Sequence, residues 1–170
     1  MDDLLFVIAE LAIGLAGFAS VATVLARRDE MQLAIAAVRL RVMLVLSIGV
    51  AFLSLVPAIL AQFEFLPEPR WRLSAALLSA LLLVGFLPFS PLRTGFKATR
   101  AAGVTWNPIY YYFMGSLLLL PFIACSAVAL GVISEFAAGT YVASLTCFLL
   151  AAAIAFVRLV FSLLQPKRAA

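Results

Sequence analysis

"LLFVIAELAIGLAGFASVATVLA" (residues 4–26) holds one ionisable side chain, Glu10, in an otherwise apolar run. A helix that crosses the hydrocarbon core of a bilayer needs about 20 mostly apolar residues, and this stretch is long enough. It is apolar on every side and lacks the alternation of a membrane-barrel strand. The residues before it are acidic, "MDD", whereas a secretory signal peptide opens on a basic region and ends at a small-residue cleavage site. The stretch therefore reads as a retained transmembrane helix.

Four further segments have the same character, which gives spans at 4–26, 42–62, 71–90, 110–133 and 138–163. The whole chain of 170 residues is 66% hydrophobic and 12% charged, with a mean hydropathy of +1.17. A soluble domain carries about a quarter charged residues. The expected fold is all-α and polytopic: a single helical transmembrane domain over 1–170 with five transmembrane helices.

The basic residues give the threading. Arg27, Arg28, Arg39 and Arg41 lie in the first connector, and Arg93, Lys97 and Arg100 in the third. Arg158, Lys167 and Arg168 lie at the C-terminal end, and only Arg70 and Arg72 lie between the second and third spans. Alternate sides thus carry ten Lys and Arg against two. The positive-inside rule assigns the ten to the cytoplasm, where they face lipid headgroups. The N-terminus is then outside and the C-terminus inside, which requires an odd number of spans. Trp71 and Tyr141 are expected among the outer interface aromatics, and Trp106 with "IYYYF" (109–113) among the inner ones. "WNP" (106–108) reads as a helix start, and "EMQLAIAAVRLR" (30–41) as a helical extension of the second span. Pro57 and Pro88 fall near helix ends, whereas Pro121 falls inside the fourth span and should free a backbone carbonyl there.

The chain contains no histidine and two cysteines, Cys125 and Cys147, both in apolar runs. That removes histidine-based triads and metal sites and gives no disulfide framework. No Gly-Lys-Ser/Thr follows the glycines, so no phosphate loop is present, and no two acids pair within a span. No cofactor, no metal and no catalytic residue is expected, and the protein reads as non-enzymatic. Three cations in the third connector are too few for a nucleic-acid surface; membrane lipid is the partner they fit.

Glu10 is therefore the residue that needs explaining. It lies about 9 Å below the outer end of the first span. Helical spacing places Glu10, Gly14, Gly17 and Val21 on one face, and Ala12, Ala16, Ala19 or Ser20, and Thr23 on a second small-residue stripe. Small residues let helices approach closely in lipid, so Gly14 and Gly17 are expected at a helix–helix contact, and a homo-oligomer or another membrane protein as partner. Ser54, Ser79, Ser126 and Thr146 fall at roughly 10–15 Å depth, so one hydroxyl from each other helix stands near the level of Glu10. The plain expectation is a structural acid hydrogen-bonded between helices. The sharper alternative is a proton- or cation-handling site, in which an oligomeric channel or transporter uses Glu10 and the hydroxyl layer. Arg158 lies nearer the cytoplasmic end and reads as snorkelling to the headgroups.

The segments "AELAIGLAGFASVATVLARR" (9–28), "RLR" with the helix ending "LVP" (39–57) and "WRLSAALLSALLL" (71–83) together resemble a group of small uncharacterised bacterial membrane proteins. Their first helix carries an Ala-Glu start, a Gly-Phe step and an Arg pair. The matching positions are Glu10, Gly17, Phe18, Arg27, Arg28, Arg41, Pro57, Trp71 and Arg72. The resemblance covers the first half of the chain. It implies a multi-pass protein of a bacterial inner membrane, and no activity. The expected function is that of a structural, accessory or sensory component of a membrane assembly.

Overall fold

The computed structural model describes residues 2–25, 30–63, 67–86 and 108–164. These form five helices: α1 (Asp2–Leu25), α2 (Glu30–Gln62), α3 (Pro67–Phe86), α4 (Pro108–Ala129) and α5 (Ala137–Leu164). Among the described residues there is no strand. Four helices are long and apolar enough to cross a membrane, through Asp3–Ala22, Met43–Gln62, Tyr112–Ala129 and Ala137–Phe161. The fifth, α3, carries Arg70 and Arg72 near its start. Arg27, Arg28, Arg93, Lys97, Arg100, Lys167 and Arg168, together with Pro88, Trp106 and Asn107, lie outside the described residues.

The extension expected over 30–41 is helical and continuous with the second span. Proline occupies the first position of α3 and of α4, where its missing N–H has no helical acceptor to lose and its φ suits the first turn. α4 ends in a Schellman turn. The Val132 N–H donates to the Ala127 carbonyl at 2.9 Å and the Gly131 N–H to the Val128 carbonyl at 3.0 Å. The turn needs a left-handed residue, which Gly131 supplies at φ +77°. α4 runs through Pro121 as one helix.

α5 is the hub. It packs against all four other helices, while among the described residues α1 touches only α2 and α5. Two buried clusters set the directions. At one end Leu5, Ile8 and Ala12 of α1 join Tyr141, Leu145 and Phe148 of α5. At the other, Ala19 joins Ala155 and Leu159. The two helices are therefore parallel. Tyr141, Ser144, Leu145, Phe148, Ala151, Ala152, Ala155 and Leu159 form the packed face of α5, at the three- and four-residue spacing of a helix side. Alanine at 151, 152 and 155 lets the neighbouring helices come close, which is how helices associate where lipid offers no hydrophobic drive.

This packing predicts a contrast. Ala152 is fully buried, so Ala152→Leu should lower the unfolding free energy in mild detergent by about 1–3 kcal/mol through overpacking. Leu120 is 65% exposed, so Leu120→Ala should change it by no more than about 0.5 kcal/mol. Chemical unfolding followed by tryptophan fluorescence measures both.

Candidate functional site

Of the two small stripes on α1, the structure packs the one without the acid. Ala12 and Ala19 are fully buried, while Glu10, Gly14, Gly17 and Val21 are all exposed. A Cβ added at Gly14 or at Gly17 would meet nothing within 4 Å. Within one chain, Glu10 therefore stands on the outside of the bundle. The reason is volume: a glutamyl side chain does not fit where α1 needs alanine to lie against α2 and α5.

The expected hydroxyl layer is also dispersed. The buried Ser54 hydroxyl donates to its own helix, at the Val50 carbonyl, 2.8 Å away. Ser126 and Ser79 face each other across α4 and α3, 3.4 Å apart. Thr146 is exposed and donates to Val142 of its own helix at 2.9 Å. None of these hydrogen bonds reaches Glu10. At the other end of the bundle, the Arg158 guanidinium lies 4.0 Å from the centre of the Tyr110 ring, a cation–π contact that sequence reading did not anticipate. Arg41 is exposed, and Arg39 lies on α2.

The most ordered polar construction was read from sequence as something else. Trp71 and Tyr141, expected among the outer interface aromatics, are packed inside the bundle: Tyr141 is fully buried and Trp71 is 7% exposed. The Tyr141 hydroxyl donates to the Leu53 carbonyl of α2 at 2.7 Å. That carbonyl is the one that an N–H at position 57 would occupy in an unbroken helix, and position 57 is proline. Tyr141 thus closes the gap that Pro57 opens. Trp71 packs on Tyr141 with ring centroids 5.9 Å apart and planes tilted by 54°, and the Arg70 guanidinium lies 4.9 Å from the Trp71 ring centre. The Arg72 guanidinium lies across the turn after α4, so a Cβ at Gly131 would stand 3.0 Å from one of its terminal nitrogens. A cation there faces the negative end of the α4 dipole. Beneath this clasp, the buried Cys125 thiol meets the Ser144 hydroxyl at 3.2 Å.

Two signals pointed to the clasp. A proline inside an apolar helix leaves a carbonyl that lipid does not satisfy, and a tyrosine at similar depth is its natural donor. Ser47 was also missed. It is fully buried on α2, and its hydroxyl makes no hydrogen bond. Among the described residues, no group of three or more His, Cys, Asp or Glu is placed to hold a metal ion.

Compared with protein-family models, curated proteins and solved structures, the chain matches none.

The clasp predicts a rescue. Tyr141→Phe leaves the Leu53 carbonyl without a donor and should cost about 1–3 kcal/mol of stability. Pro57→Ala restores the backbone N–H, so in that background the same Tyr141→Phe change should cost less than half as much. A double-mutant cycle on unfolding free energies measures the coupling.

Proposed function

We propose that this chain is a small non-enzymatic integral membrane protein that works within a membrane assembly, as a structural, accessory or sensory component. It self-associates through its outward α1 face. In this reading it crosses a bacterial cytoplasmic membrane five times, with α3 as the third span. Its N-terminus is outside, its C-terminus inside, and its basic connectors lie against anionic lipid. The ten-to-two distribution of Lys and Arg supports the orientation. The packing agrees with it: Trp71, next to Arg70 and Arg72, joins the cluster that holds Leu5 near the start of α1, while Arg158 adjoins Leu159 in the opposite cluster.

The observation that carries the assembly reading is the acid on an open face. Glu10 stands above two glycines that nothing covers, and an ionisable group turned to lipid costs several kcal/mol. A helix docked on that face gives Glu10 a polar partner and uses the close approach that glycine permits. The channel alternative needs Glu10 and the hydroxyl layer along one path. Ser54 is buried inside the bundle, and Ser79 and Ser126 are turned to each other, so the geometry favours assembly over conduction.

Mass measurement in nanodiscs should give a multiple of the chain mass for the wild type. Glu10→Gln should keep the assembly, and Glu10→Ala should raise its dissociation constant about tenfold, the equivalent of roughly 1.4 kcal/mol. A wild type that stays monomeric at every lipid-to-protein ratio contradicts self-association. For the threading, an added cysteine replacing Lys97 should resist membrane-impermeant reagents in right-side-out cells; labelling from outside reverses the orientation.

A further inference from the structure

We infer that the inner ends of α4 and α5 form a binding site for one anionic glycerophospholipid, whose phosphodiester is held by the Arg158 guanidinium on the face of Tyr110. This rests on the threading proposed above, which puts these helix ends in the cytoplasmic leaflet, and not on self-association. Arg158 lies within the apolar span Ala137–Phe161, next to the fully buried Leu159. An arginine that only snorkels moves freely in the headgroup layer. This one is held in place: its guanidinium lies over the Tyr110 ring, 4.0 Å from the centre, in the first turn of α4. Stacking uses the flat face of the cation, whereas its N–H donors point outward in the plane. Those donors form the fork that takes a phosphate bidentately.

Charge makes the ligand an anion. Of the chain's eight acids, none lies between Glu68 and Glu135 and none follows Glu135, so α4 and α5 carry no acid. In the proposed threading the inner acids are Asp29 and Glu30. Glu30 opens α2, about 20 Å along the helix axis from Met43, and Met43 shares a buried cluster with Leu159. The start of α4 adds the positive end of a helix dipole beside the guanidinium. A phosphate brought to this end therefore meets positive charge and no described carboxylate to repel it. Anionic headgroups are abundant in the cytoplasmic leaflet. The surface beneath the pair suits acyl chains. Phe113 stands one turn deeper than Tyr110 on the same side of α4 and is 50% exposed. Ile154 stands one turn deeper than Arg158 on α5 and is half-buried. A glycerophospholipid supplies a phosphate with apolar chains beneath it, and a free phosphate supplies only the first.

The test uses the full chain in neutral detergent, with native mass spectrometry counting bound phosphatidylglycerol and phosphatidylcholine. The wild type should keep one phosphatidylglycerol at a concentration at which it keeps no phosphatidylcholine. Arg158→Gln should raise the dissociation constant for phosphatidylglycerol about tenfold, and Tyr110→Leu about threefold. Tyr110→Phe keeps the ring and should leave it unchanged. Arg158→Lys keeps the charge without the fork and should fall between the wild type and Arg158→Gln. Arg41→Gln is the control. Arg41 is exposed on α2, which among the described residues does not pack against α4, so its loss should leave the dissociation constant unchanged. Thermal unfolding of each variant in the same detergent checks that it folds. Equal retention of the two lipids by the wild type, or an Arg41→Gln loss as large as that of Arg158→Gln, overturns the site. Displacement of phosphatidylglycerol by millimolar inorganic phosphate also overturns it, because a soluble anion is then the ligand. The lipid counts do not depend on orientation, so they decide the site even where labelling of Lys97→Cys from outside overturns the threading.

Discussion

A proline in the second helix and a tyrosine in the last one set the terms for the bundle. Pro57 lies within α2 and has no N–H to give the Leu53 carbonyl. In hydrocarbon no water replaces it, and an unsatisfied backbone group there costs several kcal/mol. The Tyr141 hydroxyl fills the vacancy at 2.7 Å. That single bond fixes the height of α5 against α2 and the rotation of α5 about its axis. Once α5 is turned so that Tyr141 points at α2, Ser144, Leu145, Phe148 and the alanines at 151, 152 and 155 fall on the packed side. Thr146 falls on the other.

The same bond helps to hold α3, the helix whose start is least suited to lipid. Trp71 packs at a tilt against Tyr141, so the ring that caps α2 also anchors the start of α3. Arg70 and Arg72 would burden a free apolar helix. Here one guanidinium lies over Trp71 and the other across the turn that ends α4. Gly131 has two reasons to be glycine, the positive φ of the Schellman turn and the guanidinium stacked above it. The arginines that mark the sparse side of the charge count thus also have packing roles, and their presence on that side does not depend on lipid alone.

Element type was legible in the sequence, and facing was not. Five helices follow from five apolar runs, four of them long and apolar enough to cross a membrane, and the continuous α2 follows from the helical pattern before its first arginines. Facing is read from periodicity, and a helix that is apolar all round has little of it. On α1 two small stripes competed, Glu10–Gly14–Gly17 and Ala12–Ala16–Ala19. Both satisfy the rule that small residues mark contacts, so the rule alone does not say which contact lies within the chain. The partner of Tyr141 was hidden for a related reason. A tyrosine near the end of a span usually sits in the interfacial belt; here an internal carbonyl competes for its hydroxyl and wins. Residue pairs far apart in sequence, such as Pro57 with Tyr141, leave no mark in local composition.

That α1 keeps its acid on the open side follows from how the interior is filled. The inward stripe is alanine because α1 lies close to both α2 and α5, and a glutamyl side chain at Ala12 would force those helices apart. The hydroxyls of Ser54 and Ser144 are spent on carbonyls of their own helices, and Tyr141 is spent on Leu53. Among the described residues, Ser47 alone is buried with its hydroxyl unbonded. An acid at an inward position of this helix is thus excluded from the core by volume. At about 9 Å below the end of the span, Glu10 is deeper than a glutamate side chain comfortably reaches back to the headgroups. In the assembly proposed above, a polar group carried at the same depth by another helix relieves it, and glycine at positions 14 and 17 leaves room for that helix to come close.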